Sequence, residues 1–169
     1  MDSALLEIID QHRHHWPTSF DADLTPFFHT LHRAHGDLLG AAFKVVGHHD
    51  LSPAEFDVLA SLRRSPPPHE LTPSQLQQAL VITSGGLTKI LHQLEVRGLI
   101  TRSTASNDRR VKPVRLTDHA FPLVEQALQA ILQHVGCWIK ETLSAQEIQQ
   151  VTQTLAKLTL VHPLATFKK

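Results

Sequence analysis

At 169 residues the chain has room for one domain with a sizeable core, because two independent domains would each be unusually small. A hydrophobic share of 41% beside 19% charged residues excludes general disorder. The formal net charge of +0 excludes a globally basic nucleic-acid binder, and the single cysteine, Cys137, excludes an internal disulfide and fits a reducing cytoplasm.

The first twenty residues open with a short amphipathic piece, then carry His12, His14, His15 and Trp16-Pro17. They read as an N-terminal extension packing on a partner or on the body. Leu5-Leu6 and Ile8-Ile9 are too few apolar residues, behind an acid, for a signal peptide or a membrane span, which predicts a soluble cytoplasmic protein with no membrane partner. Thr25-Pro26 is a cap and first-position pair for a helix of about 20 residues, with Phe28, Leu31, Leu38, Ala42 and Val46 along one stripe and an end near Gly47. Ser52-Pro53-Ala54-Glu55 is a capping box opening the next helix, whose apolar side is Phe56, Leu59, Ala60 and Leu62. Ser65 and three consecutive prolines stop it.

Thr72, Pro73 and Gln75 repeat the capping signature and start a short helix to about Ala79. After a turn, Thr83 or Ser84 caps a second helix with Leu87, Ile90, Leu91 and Leu94 at helical spacing, closed by Arg97 and Gly98. Gly85 and Gly86 in its first turn each cost roughly 0.8–1 kcal/mol relative to alanine in a helix interior, so something should offset them. Either the bare backbone presses against a phosphate or base edge, or the first turn is loosely wound. Two β-rich runs follow, 99–103 and 111–116, joined by a polar loop carrying Asn107-Asp108-Arg109-Arg110: a hairpin with a basic tip. Pro113 cannot donate to a ladder, which predicts an edge strand. Between Lys89 and Arg115 stand seven Lys/Arg against two acids, a local balance of +5 that the rest of the chain offsets. From Thr117 a long helix is predicted to about Thr142, with Val124, Leu128, Ile131, Val135 and Trp138 on one stripe and Pro122 awkwardly near its start. Ser144 to Glu147 is a third capping box, and Ile148, Val151, Leu155 and Leu158 continue the spacing.

This order of helix, recognition helix, wing with an Asp-x-Arg tip and Val-x-Leu-Thr run resembles the MarR family of bacterial transcriptional regulators. The resemblance covers roughly Leu51 to Asp118 closely and the flanking helices by pattern. It implies a mainly α fold with a small β-hairpin wing (α+β), a winged helix-turn-helix with N- and C-terminal dimerisation helices. Residues 1–50 form an extension and dimerisation helix, 51–117 the DNA-binding region and 118–169 the C-terminal dimerisation helices, one structural domain overall. Carried over, it places Ser84, Gly86, Thr88 and Lys89 at the major groove and Arg110 at the wing tip, with Asp108 positioning that arginine and Arg109 as a second contact. Ser74, Gln75, Gly85 and His92 complete the implied DNA contacts. The Ser-Gly-Gly-Leu-Thr-Lys motif and the run Glu55 to Leu59 are similar to the PecS-like branch, some of whose members respond to urate.

The resemblance implies a homodimeric repressor on a palindromic operator in double-stranded DNA, released by a small anionic or aromatic effector. It places the effector pocket where the first long helix, the Ser52 helix and the penultimate helix meet, with Trp16, His35 and Asp57 as candidates. His35, four residues from both Leu31 and Leu39, is expected to face inward, where histidines are more often satisfied core residues than ligand contacts. Asp57 needs a partner such as an arginine, either coupling pocket to wing or forming a structural ion pair. His29, His32 and His35 drift round their helix and His48-His49 lie outside it, so no metal or cofactor is expected. Cys137 beside Trp138 is expected to be buried and inert. A metal- or thiol-responsive regulator of the same fold and a winged-helix protein-interaction module are the alternatives. No P-loop, nucleophile elbow or carboxylate pair supports an enzyme.

Overall fold

The structure is a computed structural model that describes residues 3–80, 82–102 and 112–159. Its helices are α1 (Ser3–His15), α2 (Leu24–Gly47), α3 (Pro53–Arg64), α4 (Pro73–Ala79), α5 (Ser84–Val96), α6 (Ala120–Thr142) and α7 (Ala145–Thr159), with a 3-10 turn at Pro17–Ser19. The strands are β1 (Glu70–Leu71), β2 (Ile100–Arg102) and β3 (Val114–Leu116).

Three helix starts form as their capping boxes dictate. Ser52 Oγ accepts from the Glu55 backbone N–H while the Glu55 carboxylate accepts from the Ser52 backbone N–H at 2.8 Å. Thr72 with Gln75, and Ser144 with Glu147, close the same way. The cap of α2 differs from the expected Thr25-Pro26 pair, because the helix already begins at Leu24 and Thr25 lies buried inside it. Asp21 takes the capping part from two residues before the N-cap: its carboxylate accepts from the Asp23 and Leu24 backbone N–H groups at 2.9 and 2.8 Å, while Thr25 Oγ1 accepts from the Asp21 N–H. Pro122 falls at the third position of α6, where the missing N–H belongs to a first turn without intrahelical partners.

The sheet has the order β1-β3-β2, antiparallel throughout. Strand β3 is therefore central and not an edge, and Pro113 precedes its first paired residue, Val114. Val114 and Leu116 are buried while Arg115 between them is exposed, the alternation expected of a strand with one face on the core. The core gathers Val58, Leu59 and Leu62 of α3, Leu76 of α4, Leu87, Leu91 and Leu94 of α5, Val114 and Leu116 of β3, and Val124 and Ala127 of α6. Helix α3 is the hub, packing on α2, α4, α5, α6 and β3.

One buried carboxylate joins that hub to α5. Glu55 Oε1 accepts from Arg97 Nη1 at 2.9 Å, and Arg97 also donates to the Asp50 carbonyl at 2.8 Å. Burial works to raise the Glu55 carboxyl, but hydrogen bonds from Ser52 and Arg97 and the Arg97 charge outweigh it and hold the group below the ordinary glutamate range. A depressed carboxyl contributes stability that is present above its unfolded value and lost as pH falls through its folded value. Glu55→Gln is expected to cost about 1–2 kcal/mol in urea unfolding at neutral pH. It should also flatten the loss of stability that the native chain shows on acidification below pH about 4.5, the ordinary glutamate value.

Candidate nucleic-acid interface

Helices α4 and α5 pack on each other and on α3, the arrangement of a helix-turn-helix. Thr83 caps α5, its Oγ1 accepting from the Gly86 N–H at 3.2 Å. At the far end Gly98 has φ +70°, its N–H donates to the Glu95 carbonyl and that of Leu99 to the Leu94 carbonyl, a Schellman closure. Leu87, Leu91 and Leu94 are buried, and the opposite face presents Ser84, Gly85, Thr88, Lys89 and His92, all exposed. The Thr88 hydroxyl donates to the Ser84 carbonyl at 3.0 Å.

The two glycines have different reasons. A Cβ on Gly86 would meet Thr83 Oγ1 at 3.1 Å and Ile82 Cγ1 at 3.2 Å, so this glycine lets the cap and the preceding turn close on the helix. A Cβ on Gly85 would meet nothing within 4 Å. Its missing side chain serves no contact among the described residues and leaves the backbone open to an outside surface.

Ser74 and Gln75 at the start of α4 are exposed, but Gln75 Oε1 is taken by the Thr72 backbone N–H at 2.8 Å and hydroxyl at 3.0 Å. Asp108, Arg109 and Arg110 lie outside the described residues. The base of the wing is fixed to α5 by an ion pair between Arg102 and Glu95 at 3.1 Å. Arg97 and Arg102 are thus neutralised locally, whereas Lys89 and Arg115 have no ionic partner among the described residues. The sequence-level charge balance did not separate these two groups.

The residues expected at an effector site do not converge. His35 is exposed, not inward, because the α2 stripe that faces the body runs through Leu31, Leu38 and Ala42 instead. Trp16 is 63% exposed and stacks on His12 at 5.4 Å between centroids. Asp57 is exposed by area, yet partial burial raises its carboxyl, with the charge of Arg64 pulling the other way. Arg64 itself donates to Ser61 Oγ at 3.1 Å. A separate apolar cavity of about 310 Å³ lies between α1, α2 and α6, lined by Leu5, Ala34, Leu38, Trp138, Ile139 and Leu143 among others, and by none of those three. Cys137 is exposed and not buried, since no described residue covers the outward face of α6. Among the described residues no group of three or more His, Cys, Asp or Glu is placed to hold a metal, and no helix is long and apolar enough to cross a membrane.

A family model described as MarR family matches residues 49–111, which span α3 to the wing. The chain is 36% identical over 125 residues to the HTH-type transcriptional regulator PecS of Dickeya dadantii (strain 3937), covering 73% of this chain and 74% of that protein. The chain belongs to the MarR family. A mutant MarR from E. coli, solved with operator DNA, superposes with a TM-score of 0.71 at 26% identity, covering 82% of this chain and 99% of that one. AbsC, a MarR family regulator from Streptomyces coelicolor, shares the fold with a TM-score of 0.74 at 17% identity, over 83% and 95% of the two chains. This member of the MarR family is therefore a DNA-binding transcriptional regulator with a winged helix-turn-helix, and not an enzyme.

The glycine pair supplies a test within this site. Gly86→Ala is expected to destabilise the chain in urea unfolding, because its neighbours are a cap oxygen and a core-facing isoleucine. Gly85→Ala should be neutral or stabilising by up to about 1 kcal/mol.

Proposed function

We propose that the chain acts as a homodimeric repressor whose two α5 helices enter successive major grooves of a palindromic operator. The observation that carries this reading is the outward face of α5: Ser84, Gly85, Thr88, Lys89 and His92 are exposed on a helix whose other face is core. Polar side chains and a bare backbone suit base edges and phosphates, and Lys89 supplies a charge with no ionic partner among the described residues. Ser84 and Gly85 keep first-turn N–H groups for phosphate, while that of Gly86 is spent on Thr83. Ser74 and Gln75 flank the groove from α4, Gln75 with only its amide nitrogen to offer. On the wing, outside the described residues, this reading keeps the roles the family resemblance implies: Arg110 for the minor groove, Asp108 to position it and Arg109 as a second contact.

Pairing of two copies rests on apolar surface that the described residues of one chain leave uncovered. Helix α7 buries none of its described side chains, although Ile148, Val151, Leu155 and Leu158 form a stripe along it. Leu128, Leu132 and Trp138 of α6 and Phe27 and Phe28 of α2 are exposed as well. A second copy covering these helices would set the two reading heads about one turn of DNA apart. Because Leu132 is exposed in the isolated chain, Leu132→Glu should keep the fold and shift the sedimenting species from dimer to monomer.

The effector in this reading is a small aromatic or anionic molecule. The cavity between α1, α2 and α6 has the size and apolar lining for an aromatic ring. Of the three residues first expected to touch the effector, Asp57 keeps a chemical reason in its raised carboxyl, and Trp16 and His35 receive none from the geometry.

A mobility-shift titration against the DNA flanking the protein's own gene, at two salt concentrations and with competitor DNA, tests the central reading. Tight, salt-sensitive and competitor-resistant binding is expected. Arg110→Ala should weaken it and lower the salt slope by about one, leaving the dimer intact. Native-like binding by this variant across the salt series would remove the wing from the mechanism.

A further inference from the structure

On the outward face of α5, one side chain has its orientation and its chemistry restricted from within the helix. Thr88 is exposed, and its hydroxyl donates to the Ser84 carbonyl at 3.0 Å, one turn back. A threonine hydroxyl has a single proton. With that proton committed, Thr88 has none to give to guanine O6 or N7, adenine N7 or thymine O4, the acceptors that line the major groove. The same bond selects one staggered position for the side chain, so the γ-methyl, on the other branch of Cβ, is held away from the Ser84 carbonyl.

The helix leaves room beside that methyl. A helical side chain lies over the turn before it, and for Thr88 this turn holds Gly85, three residues back on the same face. A Cβ on Gly85 would meet nothing within 4 Å, the Thr88 side chain included. The ground beside the γ-methyl is therefore bare backbone, a shallow notch with an apolar wall on one side. Ser84, Lys89 and His92 on the same exposed face all end in polar groups.

We propose that Gly85 and Thr88 together select thymine, the Thr88 γ-methyl packing on a thymine C5-methyl that enters over Gly85. Of the four bases only thymine carries a methyl group in the major groove, and an apolar contact with it is a readout open to a threonine that has no proton to donate. The inference rests on the reading of α5 as the helix that enters the major groove, and it adds which base is chosen there. Gly85 then has a reason that the fold does not supply, because a side chain at that position would hold the thymine methyl off the helix. Burying one methyl group changes affinity by a factor of about four.

Replacing operator thymines one at a time by deoxyuridine removes the C5-methyl and keeps the base pair, so binding titrations across such a series test the contact. The native chain should lose about fourfold in affinity at one thymine of a half-site. Thr88→Ser should bind the unmodified operator about fourfold more weakly and show no further loss at that thymine. Thr88→Val, which keeps a γ-methyl and lacks the hydroxyl, should retain both the native affinity and the loss. Gly85→Ala should weaken binding to the unmodified operator and recover part of it where deoxyuridine replaces that thymine. If every deoxyuridine loss in Thr88→Ser equals that of the native chain, the thymine readout is overturned while specific DNA binding stands. Binding by Thr88→Val as weak as that by Thr88→Ser overturns it too, since the hydroxyl then accepts from an adenine or cytosine amine. Absence of specific binding by the native chain removes the major-groove reading and this proposal with it.

Discussion

The reading head depends on one carboxylate. Glu55 closes the capping box of α3 and accepts from Arg97, the residue that ends α5, so the start of the hub helix and the end of the exposed helix meet on one side chain. The group is 8% exposed, and in so dry a setting a carboxylate is tolerable only with its lone pairs occupied. Ser52 and Arg97 occupy them. Arg97 then reaches on to the Asp50 carbonyl and fixes the turn before α3 as well. The direction of α5 from the body is thus set by charge-assisted hydrogen bonds at one end and by leucine packing along its length.

At the other end of α5, backbone space matters more than charge. Gly86 gives room to its own cap, whereas Gly85 gives room to nothing among the described residues. Of the two weak helix formers at this helix start, one is required by the fold and the other is free for the surface contact proposed above. That distinction is a matter of tenths of an ångström around Ile82 and Thr83, and residue type alone does not contain it.

What could be read from the sequence was what acts over a few residues. The boxes at Ser52, Thr72 and Ser144 and the glycine stop at Gly98 need only neighbours three or four positions away, and they form as read. The family motifs lie in the same compact stretch. What escaped depends on distant partners. Glu70 and Leu71 are a strand only because Arg115 and Val114 lie opposite them, and that pairing moves β3 from the edge to the centre. Asp21 is the exception: it caps α2 from only two and three residues away, a local signal that the neighbouring Thr25-Pro26 pair masks. The exposure of His35 and Cys137 reflects faces of α2 and α6 that no described residue covers, which periodicity cannot foresee. The contact between the His12 and His29 rings spans seventeen residues and two elements.

The central position of β3 bears on how such a regulator can be switched. Its Leu116 N–H donates to the His69 carbonyl on one side, and Thr117 donates to the Gly98 and Leu99 carbonyls on the other. The base of the wing is therefore riveted to the end of α5 and to the connector after α3, with Arg102 and Glu95 adding a cross-brace. Helix and wing base form one jaw of a caliper, incapable of changing its own gauge without breaking these bonds. If two copies pair as proposed, the free coordinate is the span between jaws, and the proposed effector among the distant helices would act on DNA by resetting that span alone.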